Sequence, residues 1–132
     1  GDKSTPIGIY SIDKVFYRKD RLILEDINFE KIPINKNFGW CDDCNNENYN
    51  RFITFPVKGS AEHLYRKDSI YDIICVLDYN MRPIVRNKGS AIFIHIASHS
   101  YSGTAGCIAL NEKNLIELLK NINSDDKVHI LD

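Results

Sequence analysis

The chain has 132 residues, 43% of them hydrophobic and 27% charged, with a formal net charge of -1. That is enough chain for one hydrophobic core and too little for two, so a single domain spanning 1–132 is expected. The balanced charge leaves no basic footprint for nucleic acid, and no apolar run approaches the roughly 20 residues needed to cross a bilayer.

The first residues, GDKSTPIG, lack the apolar core of a secretion signal. A chain from which a signal or anchor has been removed would start in the same way, so the compartment is not fixed here. Going along the chain, GIYSI, RLILEDI, RFITFPV, YDIICVLDY, SAIFIHIA and KVHIL are short runs rich in Ile, Val, Phe and Tyr. Polar or turn-forming clusters separate them, and they read as strands. Between Asn35 and Asn50 the sequence is dense in Asn and Asp and reads as a surface loop. Trp40 is the exception in it: such a side chain either anchors the loop on the core or lines a cleft, and its indole N–H needs a partner. Around Ser60 to Arg66 a short helical turn is expected, with Ser60 as cap and Glu62 early in the turn. One longer helix is predicted after Leu110. Asn111 caps it, Leu115, Ile116, Leu118, Leu119 and Ile122 recur at helical spacing, and it ends near Asn123. The expected architecture is mainly β, a curved sheet or sandwich with one or two helices.

Four cysteines are too few for a small disulfide framework. Cys75, inside YDIICVLDY, reads as a small buried hydrophobe. Cys41 and Cys44 form a CxxC after Trp40, but the polar residues of CDDCNNENYN give no apolar helix face, so a redox or zinc role is a minor reading beside a loop disulfide or plain thiols. No metal or other cofactor is implied.

The segment from Gly89 to Leu119 carries the chemistry. Cys107 follows Gly106 at the end of a Gly-Thr-Ala-Gly turn and lies just ahead of the predicted helix, a placement expected to favour a thiolate and to supply backbone donors for an oxyanion. His95 lies on the preceding apolar run and is the natural base, with a third group, such as a backbone carbonyl, required to fix its tautomer. His99 is a competing base in the SHSYSG loop; His63 and His129 have no comparable context. The plain alternative for Cys107 is a structural core cysteine.

Several blocks together resemble the L,D-transpeptidase catalytic domain, the YkuD-like family of bacterial cell-wall enzymes. STPIGIY is similar to the family's entry strand, WCDDCNNENYNR to the W-x-D-D block and Tyr-Asn-Arg of one branch, and SAEHLYRKDSIYDIICVLDYN to that branch's next helix and strand. GSAIFIHIA and GTAGCIAL are similar to the histidine and nucleophile motifs. The resemblance implies Cys107 as the acylated nucleophile, His95 as its base, Gly106 in the oxyanion turn, and Thr104 as the small hydroxyl residue before it. The commoner motif, Ser-His-Gly-Cys followed by Arg or Asn, is altered at Ala105 and Ala109, positions that touch substrate, and the loop from His95 to Cys107 is shorter than usual. The resemblance therefore implies transfer between peptidoglycan stem peptides in the periplasm or cell envelope, with an atypical link from the first stem residue (1-3) rather than 3-3 as one form. Trp40, Asp42, Asp43, Tyr49, Asn50 and Arg51 are expected to line or brace the cleft, Arg51 with a planar fork suited to a substrate carboxylate. Asp42 or Asp43 pairing with Arg51 is the structural alternative. Rival functions are an L,D-carboxypeptidase or amidase of the same chemistry, a non-catalytic wall-binding domain, and a redox protein working through Cys41 and Cys44.

Overall fold

A computed structural model describes residues 5–97 and 107–131. Its strands are β1 (Gly8–Tyr10), β2 (Ile12–Tyr17), β3 (Lys31–Pro33), β4 (Phe38–Cys41), β5 (Phe52–Thr54), β6 (Ala61–His63), β7 (Ile73–Leu77), β8 (Phe93–Ile96), β9 (Ile108–Leu110) and β10 (Val128–Ile130). A single helix is found among the described residues, α1 (Glu112–Asn121). The fold is mainly β with minor α, as the runs of β-branched and aromatic residues lead one to expect.

Five strands form the main sheet in the order β3-β2-β7-β8-β9, with parallel pairs at both edges and antiparallel pairs in the middle. Its inner strands are buried on both sides, which is why YDIICVLDY and SAIFIHIA are apolar without alternation. On one side, Ile12, Val15, Ile73, Cys75, Leu77, Ile92, Ile94 and Ile96 pack under Leu115 and Leu119 of α1. On the other, Phe16, Ile74, Val76, Phe93 and Cys107 meet Trp40 from the smaller antiparallel sheet β5-β4-β6 and Leu64 just after β6. β1 and β10 form a separate antiparallel pair that brings the two ends of the chain together.

Three expectations from the sequence are corrected. Residues 35–50 are not all surface loop, because Phe38–Cys41 is the central strand of the smaller sheet. The strand is held by Phe38 against Phe52 at 4.8 Å between ring centroids, and by Trp40 against Phe93 at 5.4 Å. A Cβ on Gly39 would meet Phe55 at 2.5 Å and Ile53 at 2.6 Å, so two side chains cover that position directly. The helical turn expected at Ser60 to Arg66 is instead β6, paired to β4. Its would-be cap, Ser60, donates its hydroxyl to Asp42; cross-strand pairing overrides a weak local helix preference. RLILEDI is not a strand either. The amides of Arg21 and Leu22 turn back to the Arg18 carbonyl at 3.0 and 3.1 Å, which closes a turn, and only Leu24 is driven fully into the core.

α1 follows its sequence signals closely. Asn111 is the cap, its side chain accepting from the Asn114 amide at 2.8 Å, and Leu115 and Leu119 are fully buried. Replacing Leu119 by Ala is expected to cost about 2–5 kcal/mol of unfolding free energy through the cavity left behind. Asn111→Ala is expected to cost about 1 kcal/mol. Urea titration of both variants checks the order: equal losses would mean that the helix does not close that side of the core.

Candidate active site

The parallel pairing of β8 with β9 sets Ile94 against Ile108 and His95 against Ala109. Continued by one residue, that register puts Cys107 beside Phe93, and strand partners share a face. Phe93, His95 and Cys107 therefore all face the smaller sheet, the side on which Trp40 packs. This is the opposite side from α1, and β9 separates Cys107 from the helix start. The expected help from helix N-terminal amides does not materialise, because the residues after Cys107 extend as a strand before turning into the helix.

The Cys107 thiol is 6% exposed and donates to the Ala91 carbonyl at 3.3 Å. Burial pushes it up to about 12, the Phe93 backbone hydrogen bond pulls it down, and the Glu62 carboxylate pushes it further up. At neutral pH the sulfur is thus protonated, which corrects the expectation of a favoured thiolate. His95 is wholly buried, with Nδ1 at 3.0 Å from the Ile96 carbonyl. A carbonyl only accepts, so Nδ1 carries the proton and Nε2 the lone pair. The Ile96 carbonyl is the third group that the sequence left unread. Burial holds His95 below the ordinary histidine range, the Ile96 bond opposes this, and the Arg66 charge adds to it. Burial thus disfavours the charged form of both Cys107 and His95.

Tyr71, Glu62 and Arg66 complete this side of the site, and the sequence reading missed their roles. The Tyr71 ring stands steeply inclined to those of Phe93 and His95, at 5.9 and 5.7 Å between ring centroids, and its hydroxyl donates to Glu62. The Arg66 guanidinium lies 5.4 Å from the centre of the Tyr71 ring and is paired to Asp68 at 2.7 Å. Tyr71 opens an apolar run and Glu62 sits in a three-residue strand; neither carries a local signal that sets it apart.

The block around Trp40 is built as a brace behind Cys107. Trp40 is 2% exposed, and its indole N–H donates to Asn50 Oδ1 at 2.9 Å. Asn50 Oδ1 also accepts from the Ala91 amide at 3.1 Å, while Nδ2 donates to the carbonyls of Tyr79 and Asn80 at 3.1 and 2.7 Å. Ala91, at φ 56°, is thus gripped through its N–H by Asn50 and through its carbonyl by Cys107. The buried Tyr49 hydroxyl accepts from the Gly89 amide at 3.0 Å. Asp43 accepts from the Asn45 amide and Asp42 from Ser60; among the described residues neither makes an ion pair with Arg51. Arg51 lines a cleft of about 320 Å³ with Asp13, Lys14, Trp40, Asn50, Phe52 and Arg82. Cys41 and Cys44 are free thiols, Cys41 ending β4 rather than opening a helix. No cluster of three metal-ligating side chains occurs among the described residues. Thr104, Ala105, Gly106 and His99 lie outside the described residues.

Because the thiolate fraction of a group near 12 grows about tenfold per pH unit up to that value, Cys107 in the resting protein is expected to alkylate slowly at pH 7. Its rate should climb without a plateau to pH 9. Peptide mapping after iodoacetamide, with the partly exposed Cys44 as internal reference, checks this; rapid modification of Cys107 with a plateau near neutrality would show a resting thiolate instead.

The model of the YkuD family, the L,D-transpeptidase catalytic domain, matches residues 1–130. No curated protein and no solved structure matches the chain. The family consists of L,D-transpeptidases, typically of the cell envelope, which act on peptidoglycan peptides. With that match running through nearly the whole chain, and with a mainly β fold around it, the protein belongs to the YkuD family of L,D-transpeptidase catalytic domains.

Proposed function

We propose that residues 1–132 form one catalytic unit, a cysteine-dependent L,D-transpeptidase of the bacterial periplasm or cell envelope that joins peptidoglycan stem peptides. The observation that carries this reading is the common face of His95 in β8 and Cys107 immediately before the parallel strand β9, with His95 held in one tautomer by the Ile96 carbonyl. A buried neutral pair sets the order of events. As Sγ bonds to the carbonyl carbon of the donor stem, its proton passes to His95 Nε2, so charge develops only when the substrate is in place. His95 then gives that proton to the leaving amine, and a thioester remains on Cys107. An amine of a second stem attacks the thioester, forming the new amide and restoring the thiol.

Gly106 is assigned to the oxyanion, and Thr104 and Ala105 to substrate contact. Trp40, Tyr49 and Asn50 hold the Ala91 carbonyl against the thiol, with Asp43 closing the adjacent turn, and Arg51 is assigned to a stem carboxylate at the edge of the cleft. The small side chains at Ala105 and Ala109, where the commoner motif has larger ones, support an atypical 1-3 link.

Purified muropeptides incubated with wild type and with Cys107→Ala, and read by tandem mass spectrometry, test this reading. A cross-linked dimer formed by wild type alone is expected, and its fragments identify the bond; His95→Ala should retain product formation at a rate about 10²–10⁴-fold lower. Shortened monomers without dimer would make the enzyme a carboxypeptidase or amidase. Retention on cell-wall material by both proteins without any product would make it a binding domain.

A further inference from the structure

The cleft that Arg51 lines holds two further cations to which the acyl transfer gives no role, Lys14 and Arg82. Three of its lining residues are positively charged and one, Asp13, is negatively charged, which leaves a surplus of two positive charges. The pairing among them is uneven. Asp13 takes Arg82 at 3.0 Å and Lys14 at 3.6 Å, so one carboxylate serves two cations. Arg51 is in no ion pair among the described residues.

The cations also come from different parts of the fold. Asp13 and Lys14 belong to β2, and Met81 and Arg82 follow β7, both strands of the main sheet. Arg51 and Phe52 lead into β5 of the smaller sheet. The cleft thus has positive charge on two banks, one supplied by each sheet. Between them, Trp40 and Asn50 are buried and already spent as hydrogen-bonding groups, on each other and on Ala91, Tyr79 and Asn80. The walls add Met81 and the 37% exposed ring of Phe52. Recognition here therefore rests on negative charge at the two banks with apolar contact alongside. Through Asn50 the cleft shares its support with the nucleophile, because Asn50 holds the Ala91 amide and the Ala91 carbonyl meets the Cys107 thiol.

We propose that this cleft is a two-carboxylate subsite: it takes a stem peptide with two free carboxylates, one on Arg51 and the other on Lys14 and Arg82, and disfavours stems in which either is amidated. This inference rests on the stem-peptide reading above and goes beyond the single carboxylate assigned to Arg51. Asp13 holds Lys14 and Arg82 together but neutralises only one of them, and the second carboxylate of the ligand supplies the missing charge. A phosphate polymer would satisfy the cations and leave the Phe52 and Met81 walls unused, which favours a peptide.

The test is calorimetric titration of the Cys107→Ala chain, which binds without turnover, with four synthetic stem tetrapeptides: both carboxylates free, each amidated singly, and both amidated. An amide keeps the shape and removes the charge. Each amidation is expected to weaken binding about fivefold or more, and less at high salt because these groups are partly open to water. Arg51→Gln should erase the effect of one amidation only, and Lys14→Gln or Arg82→Gln the effect of the other only, with Lys14→Arg and Arg82→Lys retaining it. The same four stems are compared by kcat/KM with the wild-type thiol. Equal binding and equal kcat/KM for all four overturn this inference alone, as do amidation effects that the Lys14 and Arg82 variants leave unchanged. Poly(glycerol phosphate) binding more tightly than the stem and displacing it would assign the cleft to a phosphate polymer and overturn it too. Neither binding nor product with any stem overturns the stem-peptide reading and this inference with it.

Discussion

The parallel ladder between β8 and β9 is the constraint on which the site depends. Parallel strands require a crossover from the finishing end of one strand to the starting end of the next, so the chain that leaves β8 after Ile96 re-enters at Cys107 beside the start of β8. A shift of one residue would send Cys107 to the α1 side of the sheet, among Ile94, Ile96 and Leu119, and leave His95 on the other. Register is enforced from both sides. The α1 side demands Ile92, Ile94 and Ile96, and the opposite side accommodates Phe93 against Trp40 and Tyr71. The packing of an ordinary β core thereby places His95 and Cys107 on one face of the sheet.

Burial has a second consequence. The same layers that fix Cys107 and His95 remove water from them, which drives the thiol up and the imidazole down and keeps both uncharged. The brace on the far side of Ala91 serves this arrangement. Asn50 spends its whole hydrogen-bonding capacity on Trp40, Ala91, Tyr79 and Asn80, tying β4, the start of β8 and the turn after β7 into one unit. The Ala91 carbonyl that meets the thiol is thus held by a side chain more than forty positions away in the sequence. An Asn at positive φ is well suited to that corner, since its short amide tolerates the left-handed region.

Much of this was legible in the sequence where the signal is long. The apolar runs of β7 and β8 and the capped helix could be read directly, and Trp40 was recognised as a residue in need of an indole partner. What escaped was short. β3, β6 and β9 have three residues each, too few to display a period, and β4 has four set among Asn and Asp. Each exists because a neighbouring strand pairs with it, a fact absent from its own composition. The intervening β9 is why the thiol, expected at a helix start, ends up across the sheet from the helix. The inward direction of Glu62 followed only from its register against Trp40, and a helical reading of that segment concealed it.

The measurement closest to the centre of this account is the protonation state of His95 in the resting protein, read from its imidazole nitrogen shifts by NMR across a pH series. The account predicts a neutral ring protonated at Nδ1 at pH 7, titrating only below the ordinary histidine range, with no coupled step that would mark a Cys107 thiolate. A ring doubly protonated at pH 7 would contradict it, for it would mean that thiolate and imidazolium are already formed before any substrate arrives.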